Sequence, residues 1–401
     1  MREMKDSGVE WIGEIPNNWN ICRLKNYAFI MNGADYKDIQ DDSGVYPVIG
    51  SGGEFDRATK YLYEGESVLL GRKGTIDKPR YINGAFWTVD TMYYTKIKDI
   101  GIAKYLYYLC TQIQFDFYQY GSAVPSMTQR DLNSVCFPLP GISEQRRIAD
   151  YLDSKCSQID AIIEKQQIII EKLKEYKLSV ITETITKGIN PDVEMKYSGS
   201  VWFGDIPKNW EMKRLKYVFH IQKDIVGEEG HTVLSITQRG IVPKDFSNND
   251  GQFANSYANY QLVHVGNFAM NHMDLLTGWV DISKYEGVTS PDYRVFVLDD
   301  TEKNYSEYYL YLMQMCYSAR IFYGLGQGVS GMGRWRLQAD KFLNFRIPVP
   351  PFSEQKAIAE YVDTKIVEIE RSIEKRTKLI EKLQEYKKSL IYEVVTGKKE
   401  V

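Results

Sequence analysis

Four basic side chains lie close together near the start of the chain. Residues 71–80 read GRKGTIDKPR, and the basic members are Arg72, Lys73, Lys78 and Arg80. Because glycine and proline favour turns, the segment is expected to be an exposed loop. Arginine can donate two parallel hydrogen bonds to guanine, and lysine can bind phosphate oxygens. The segment therefore predicts a DNA contact, although a solvated hairpin tip would have the same composition.

A second candidate segment combines glycines with polar and aromatic side chains. Residues 324–336 read GLGQGVSGMGRWR, a glycine-rich loop that ends on two arginines beside a tryptophan. These polar side chains can bond to bases or phosphates, and a solvated hairpin tip is again the alternative. Beyond the first four, the residues predicted to bind DNA are Gln327, Ser330, Arg334 and Arg336 in this segment, and Arg130, Arg239 and Lys244 elsewhere.

Patterns for enzyme chemistry and cofactors are weak. Residues 326–331 match the dinucleotide fingerprint G-x-G-x-x-G, but that motif needs a strand before it and a helix after it. An aromatic helical pattern precedes this one. The five cysteines and four histidines are scattered, without a C-x-x-C pair. We therefore expect no metal, no cofactor and no catalytic residue, and the cysteine usage is typical of a reducing, cytoplasmic environment.

Composition limits the class of protein. The chain has 401 residues, of which 43% are hydrophobic and 26% charged, which suits a folded protein of two domains. It has neither an apolar run that could span a membrane nor a signal-peptide pattern, so no membrane contact is expected. Fifty basic and 53 acidic residues leave a net charge of −3. Since a DNA-binding protein is usually more basic, a partner is expected to supply further phosphate contacts.

The elements that would position these segments occur twice. Residues 4–27 and 195–218 are identical at 13 of 24 positions, and residues 137–188 and 347–398 at 25 of 52. A fainter similarity pairs Tyr105 with Tyr309, and the sequence around it differs. The chain is therefore interpreted as a duplicated unit with a short arm, a divergent globular domain and a long helix.

Each unit closes on a long helical pattern. Two prolines end each globular domain, Ser143 and Ser353 are placed as N-caps, and Gly188 and Gly397 follow the last turn. Each helix is expected to have about 44 residues and a length of about 66 Å. A helix lying only on its own domain is the alternative, which this length and the charged faces disfavour.

The two helices are expected to form an antiparallel coiled coil. The first ends only about 20 residues before the second domain, and a parallel pair would need that link to return along the whole helix. Gln166 and Arg376 are polar residues at equivalent positions of the two helices. They are expected to lie near a pseudo-two-fold axis and to fix the register of the helix pair. The central seam residues are Leu152, Ile159, Gln166, Leu173, Val362, Ile369, Arg376 and Leu383, together with Ile148, Ile162, Ile169, Tyr176, Val180, Ile358, Leu379, Tyr386 and Leu390.

The divergent domains have an α+β pattern. Short β-like runs precede aromatic-rich helical stretches at 102–120 and 306–322. The predicted fold class is α+β, with two globular domains separated by two long antiparallel coiled-coil helices and an internal pseudo-two-fold repeat. The predicted bounds are 1–19 for the first arm, 20–142 for the first domain, 143–188 for the central helix, 189–210 for the linker and repeated arm, 211–352 for the second domain and 353–397 for the C-terminal helix.

The repeated motifs resemble those of a known family. Pro-x-Pro followed by Ser-Glu-Gln-x-x-Ile-Ala-x-Tyr-[Leu/Val]-Asp-x-Lys occurs at 138–155 and 348–365, and the arm Trp-x-Gly-x-Ile-Pro-x-x-Trp at 11–19 and 202–210. Both are similar to conserved regions of type I restriction–modification DNA-specificity subunits. Residues 71–91 and 287–293 are similar to two types of target-recognition domain in that family. The resemblance covers nearly the whole chain.

The resemblance implies a non-catalytic subunit that recognises a bipartite, asymmetric site in double-stranded DNA, with one domain for each half-site. The half-sites would lie about one helical turn, roughly 34 Å, apart. The helices would dock methyltransferase subunits, two in number, which methylate adenine with S-adenosylmethionine, and restriction subunits would join through the complex.

Two alternatives remain. A coiled-coil adaptor whose domains bind proteins would lack the basic loop at 72–80. A subunit of a type IIB-like restriction enzyme is disfavoured because the chain has no methyltransferase motif.

Overall fold

The computed structural model describes residues 2–118, 124–246, 254–328 and 335–401. The chain divides into two compact units, of which the first is Met1–Gln167 with Arg376–Val401 and the second is Ile168–Lys375. Each unit therefore contains one arm, one divergent domain and a part of both long helices. The predicted mixed α+β class is confirmed.

The first unit contains short strands, short helices and the ends of two long helices. Its strands are β1 (Met4–Asp6), β2 (Glu14–Pro16), β3 (Asn20–Arg23), β4 (Ala28–Asn32), β5 (Tyr46–Gly50), β6 (Gly53–Ala58), β7 (Tyr63–Gly71), β8 (Arg80–Thr88), β9 (Met92–Ile97) and β10 (Cys136–Leu139). Its helices are α1 (Leu24–Tyr27), α2 (Ala103–Cys110), α3 (Gln129–Ser134) and the first part of α4 (Ile142–Lys187), with 3-10 turns at Lys37–Ile39 and Phe115–Tyr118.

A six-stranded sheet forms the body of the first unit. The strand order is β4-β9-β7-β8-β5-β6, and its pairs are antiparallel apart from the parallel β5–β8 pair. Val68 and Leu70 of β7 pack in one core with Ile148 of α4, whereas Leu69 packs in a second core with Phe86. Because successive side chains of a strand point to opposite faces, this apolar run is buried on both faces of the sheet.

The second unit contains the remaining elements. Its strands are β11 (Met195–Tyr197), β12 (Asp205–Pro207), β13 (Glu211–Arg214), β14 (Phe219–Gln222), β15 (Leu234–Thr237), β16 (Gly240–Pro243), β17 (Gln261–Val263), β18 (Phe268–Met270), β19 (Val280–Ile282), β20 (Gly287–Thr289), β21 (Arg294–Leu298), β22 (Gln327–Gly328), β23 (Trp335–Arg336) and β24 (Arg346–Val349). Its helices are α5 (Ser306–Ser318), α6 (Ile321–Leu325), α7 (Ala339–Asn344) and the first part of α8 (Phe352–Val395), with a 3-10 turn at Leu215–Tyr217.

The body of the second unit is a four-stranded antiparallel sheet in the order β14-β21-β18-β19. Three of its phenylalanines, Phe219, Phe268 and Phe296, have ring centroids 5.1–5.2 Å apart, and Tyr309 of α5 lies 5.4 Å from Phe219. Helix α5 packs on the sheet through this aromatic contact, which is stabilising because each ring buries a large apolar area.

Three local predictions are wrong. The helices begin at Ile142 and Phe352, so Ser143 and Ser353 lie inside the first turn and are not the caps. Within its described residues 102–118, the predicted aromatic helix is α-helical only over Ala103–Cys110 and then turns through a 3-10 segment. The stretch 306–322 is divided into α5 and α6 because Arg320 adopts a left-handed conformation (φ 56°), which ends a helix.

The long helices lie side by side in each unit. In the first unit Arg376 Nη1 donates to Gln166 Oε1 at 2.7 Å, and Lys387 Nζ donates to Asp160 at 2.7 Å. In the second unit Lys177 Nζ donates to Glu370 at 2.6 Å. In the first unit, residue numbers fall along α4 as they rise along α8, so the helices run in opposite directions there.

The seam residues follow an alternation of three and four residues. Leu152, Ile159, Val362 and Ile369 are buried, whereas Gln166, Leu173, Arg376 and Leu383 are half-buried. Four further predicted members, Ile162, Tyr176, Leu379 and Tyr386, are exposed, and the prediction is wrong for these. The step from Ile159 leads to the buried Ile163, four residues on, because the seam advances 3.5 residues per turn on average.

Within the described ranges no helix is long and apolar enough to cross a membrane.

Candidate nucleic-acid interface

The Ser-Glu-Gln motif at the start of α4 holds the arm and the first domain together. Glu144 accepts a hydrogen bond from Trp19 Nε1 at 2.9 Å. Gln145, fully buried, accepts one from the Tyr27 hydroxyl at 2.5 Å and donates to the carbonyls of Ile100 and Pro140, each at 2.9 Å. A buried amide is stable only when its donors and acceptor are satisfied, and these contacts satisfy it.

The same motif makes the same kind of contact in the second unit. Glu354 accepts a hydrogen bond from Trp210 Nε1 at 2.8 Å. Gln355, also fully buried, accepts one from the Tyr305 amide at 2.8 Å and donates to the Pro350 carbonyl at 2.9 Å. The two arms and helix starts are therefore held by equivalent side chains in both units.

A buried tyrosine joins each domain to the end of the other long helix. The Tyr105 hydroxyl lies 3.2 Å from the carbonyls of Pro138 and Val395, and the Tyr308 hydroxyl lies 3.0 Å from Pro348 and 3.5 Å from Ile185. Burial raises the pKa of both hydroxyls well above its usual value, so they remain donors.

These contacts also correct the alignment of the two units. Tyr105 is equivalent to Tyr308, not to Tyr309 as the sequence comparison proposed. Tyr108 and Tyr311 confirm the shift by one residue, because their hydroxyls donate to the equivalent carboxylates of Asp153 and Asp363.

The basic loop of the first unit connects β7 to β8. The amide of Arg72 donates to the Thr91 carbonyl at 2.8 Å, and the amide of Gly74 to the Pro125 carbonyl at 2.9 Å. Gly71 must be glycine because a Cβ there would overlap the Thr75 carbonyl oxygen. The loop is thus held by backbone contacts, which do not involve the side chains of Lys73 and Lys78.

The four basic side chains of this loop differ in their surroundings. Lys73 and Lys78 are exposed and are in no ion pair among the described residues. Arg72 Nη1 donates to the Asp90 carbonyl at 3.3 Å, and Arg80 Nη2 donates to the Gly52 carbonyl at 3.1 Å. The lysines are therefore the more available cations, and the arginines also brace the neighbouring loops.

Arg130 lies near the same loop. It is exposed in the first turn of α3, and Met127, three residues earlier, donates its amide to the Arg72 carbonyl at 3.0 Å. Thr128 caps this helix through a capping box with Asp131. The structure thus brings the segment that carries Arg130 against the basic loop.

The second unit contains a groove of about 730 Å³. It lies between the β15–β16 hairpin and the segments around Asn271 and Asp292, and its lining includes Lys244, Tyr260 and Tyr293. Burial, followed by the nearby carboxylates of Asp292 and Asp274, raises the pKa of Tyr293. Among the described residues, three aspartates and one lysine line the groove, so its lining is more acidic than the basic loop.

Those predicted residues of the second unit that the structure describes lie around this groove. Arg239 is exposed at the turn between β15 and β16. Gln327 and Arg336 face each other in the β22–β23 pair, and Arg336 Nη2 lies 3.8 Å from Asp292 Oδ1, at the lining of the groove. Ser330 and Arg334, between these strands, lie outside the described residues.

The groove carries candidate residues that sequence reasoning missed. Asp292, Tyr293 and Asn271 were not predicted to bind DNA. The only signal was the segment 287–293, which resembles a recognition domain of the family but gives no reason to choose Asp292. The dinucleotide-like segment has the wrong surroundings, since Gly326 follows helix α6 and strand β22 follows Gly326. Among the described residues, no group of histidine, cysteine and acidic side chains could hold a metal ion.

These observations define a duplicated α+β protein. Both units share one set of contacts, here called the frame, which consists of the arm tryptophan with its glutamate, the buried glutamine and the buried tyrosine. The candidate surface differs between the units. A family model described as "Type I restriction modification DNA specificity domain" matches residues 16–175 and again residues 207–382. The chain belongs to this family and is a type I restriction–modification specificity subunit.

Relatives support the same assignment along the whole chain. The chain is 24% identical over 432 residues to the specificity subunit of the type I restriction enzyme MjaVIII from Methanocaldococcus jannaschii, with 96% of this chain and 93% of that one covered. It is 22% identical over 227 residues to the EcoDI specificity subunit of Escherichia coli, where 52% and 50% are covered.

Solved structures are similar in fold. A chain from a study of assembly and conformational transition of the type I R-M system has a TM-score of 0.69 at 13% identity, covering 95% of this chain and 98% of that chain. The HsdS subunit of Thermoanaerobacter tengcongensis has a TM-score of 0.52 at 13% identity, covering 96% and 98%.

Proposed function

We propose that this specificity subunit recognises a bipartite, asymmetric site in double-stranded DNA and uses one unit for each half-site. In this proposal it is the non-catalytic subunit of a methyltransferase–endonuclease complex. The observation that carries the proposal is the contrast between equal frames and unequal surfaces. Trp19–Glu144 and Trp210–Glu354 are the same contact in the two units, whereas the basic loop and the aspartate-lined groove have different charge and shape.

The side chains assigned to DNA fit this division. In the first unit they are Arg72, Lys73, Lys78, Arg80 and Arg130, and in the second unit they are Arg239, Lys244, Gln327, Ser330, Arg334 and Arg336. Lysines bind phosphates without regard to sequence, and arginine donates to guanine. The low net charge of −3 supports a partner that contributes further phosphate contacts.

The helices are proposed to dock two methyltransferase subunits, with restriction subunits joining through the complex. Tyr176 of α4 and Tyr386 of α8 are equivalent residues, and each is 54% exposed. Exposed aromatic residues are typical of protein–protein interfaces. Because one of these tyrosines lies in each unit, a partner that binds there would bind twice.

Sequencing of methylated adenine in a methylation-free host tests the proposal. The chain is expressed with its cognate methyltransferase subunit, and each is also expressed alone. A split motif with two unlike halves is expected only when both chains are present. If the two proteins associate and remain folded but no modified motif appears, DNA recognition is contradicted and a protein-binding adaptor is favoured.

A further inference from the structure

The hairpin β22–β23 in the second unit is held against the groove at its second strand. Arg294 Nη2 donates to the Leu337 carbonyl at 2.8 Å, and the Leu337 amide donates to the His272 carbonyl at 3.0 Å. Arg294 is buried, and although burial lowers its pKa to about 10 it remains charged at neutral pH. Leu337 is thereby fixed on both sides, so the position of Arg336 directly before it is defined.

The Arg336 side chain is positioned by two groove residues. Its Nε donates to Met273 Sδ, and its Nη2 lies 3.8 Å from Asp292 Oδ1. Since 3.8 Å is longer than a hydrogen bond, the two groups attract each other without using their hydrogen-bonding capacity. Two terminal nitrogens of Arg336 therefore remain for a ligand.

The Asp292 carboxylate is likewise able to form hydrogen bonds with a ligand. It is 71% exposed, and among the described residues no group donates a hydrogen bond to its carboxylate. Its own amide donates to Ser290 Oγ, which holds the backbone in a turn. A double donor and a double acceptor thus lie next to each other at the side of the groove.

We propose that Arg336 and Asp292 form a couple that reads one G·C base pair in the half-site of the second unit. In the major groove guanine presents the acceptors N7 and O6, and the cytosine paired with it presents the N4 amino donor beside them. Arg336 donates to guanine and Asp292 accepts from cytosine. An A·T pair presents an acceptor and a donor in a different order, so it satisfies the couple less well.

This inference rests on the proposed function and adds a specific base pair to it. A latch that only fastens the hairpin would require the two residues to contact each other, but it would not select a base. A structural role in fastening the hairpin and a role in base recognition therefore differ in their effect on the base preference of the complex, not on its overall activity.

The test is methylation sequencing of Arg336→Gln, Arg336→Lys and Asp292→Asn, each expressed with the methyltransferase subunit. The couple predicts that Arg336→Gln and Asp292→Asn reduce discrimination at the same G·C pair, roughly tenfold to a hundredfold. Arg336→Lys keeps the charge but loses the paired donors, so it is expected to relax that pair as well. The other half-site is expected to stay unchanged in every variant.

Lys303→Gln is the matched control. Lys303 is an exposed cation of the same unit that is paired with Asp300, and its loss is expected to leave both half-sites as in the wild type. Because Asp292→Asn conserves shape at an exposed carboxylate, an unchanged first half-site in the same reads verifies folding.

Three results would overturn the couple. They are an unaltered second half-site, relaxation at different positions by the two residues, and reduced methylation without a change of preference. A wild-type complex that methylates no split motif would contradict the proposed function itself, and the couple with it.

Discussion

The two units differ in charge where they are expected to meet DNA. In the first unit, four basic side chains lie on or next to one loop, and Lys73 and Lys78 are exposed. In the second unit, the described lining of the groove contains Asp245, Asp274 and Asp292 beside Lys244, and Arg336 lies against Asp292. The frame that carries both surfaces is the same, from the arm tryptophan to the buried glutamine and tyrosine. A duplicated chain has thus kept the contacts that hold its domains and changed the surfaces that would read DNA.

The difference implies two ways of gaining affinity. A basic loop gains it from phosphates, which is independent of sequence and sensitive to salt. A groove with an exposed carboxylate such as Asp292 disfavours phosphates beside it and suits base edges that carry amino groups. We therefore expect the first unit to contribute more of the affinity and the second unit to show the sharper penalty for a wrong base.

The largest expected effect is on affinity, through the lysines of the first unit. Lys73→Gln with Lys78→Gln would remove two of the proposed phosphate contacts, so the DNA affinity of the complex is expected to fall roughly tenfold to a hundredfold. The slope of log K against log salt should decrease by about two. Titration of labelled DNA at several salt concentrations measures both. The double variant Lys208→Gln, Lys303→Gln removes two exposed, ion-paired lysines of the second unit and should change neither. An unaltered slope in the first variant would contradict a phosphate role for the loop.

The next effect concerns the helix pair, at a point where the two copies differ in charge. Gln166→Arg places a second guanidinium beside Arg376, and because both positions are half-buried we expect a loss of about 1–2 kcal/mol in the free energy of unfolding. Exchanging the two residues, Gln166→Arg with Arg376→Gln, restores the donor–acceptor pair and should recover most of the loss. Urea denaturation of the wild type, Gln166→Arg, Arg376→Gln and the exchange variant gives the four free energies of unfolding of this double-mutant cycle. An exchange variant as unstable as the single variant would show that the surroundings, not the pair, set the stability.

The third effect depends on pH and separates the units, since all four histidines belong to the second unit. Burial, and then Arg294 and Arg336, lower the pKa of His272 from 6.5 to about 3. The folded state binds fewer protons than the unfolded state between these values, so the contribution of His272 is complete above about pH 6.5 and is lost as the pH falls. The loss should reach about 1.4 kcal/mol per pH unit. Chemical denaturation between pH 7.5 and pH 5 is expected to show a smaller slope for His272→Gln than for the wild type. Equal slopes would exclude His272 as the cause.

The smallest effect should be equal in the two units. Tyr105→Phe and Tyr308→Phe each remove a buried hydroxyl that donates to main-chain carbonyls, so each should lower the free energy of unfolding by about 1 kcal/mol. Urea denaturation of both variants and of the double variant measures the losses, which should add. A large loss in one unit alone would show that the frames are less equivalent than their contacts indicate.

The repeated parts were predictable from the sequence because they recur with the same spacing. The helical patterns predict about 44 residues, and α4 and α8 have 46 and 44. The pairing of Gln166 with Arg376 also follows from the repeat. The seam was predicted less well, since a run of apolar residues allows either a three- or a four-residue step, and Ile162 was chosen where Ile163 is buried.

The surfaces were less predictable because they are assembled from distant segments. The basic loop is continuous in sequence and was therefore visible. The groove combines the β15–β16 hairpin with the surroundings of Asn271 and Asp292, and Arg336 meets Asp292 across 44 positions of the sequence. Only the tertiary structure brings such residues together, so neither composition nor spacing could identify Asp292.

Exchange of one domain tests the central claim most directly. Residues 20–140 are replaced by the corresponding segment of another specificity subunit, and methylated adenine is sequenced after expression with the methyltransferase subunit. If each unit reads one half-site, one half of the motif should change completely and the other half should be unaltered. A change in both halves would contradict the assignment of one half-site to each unit.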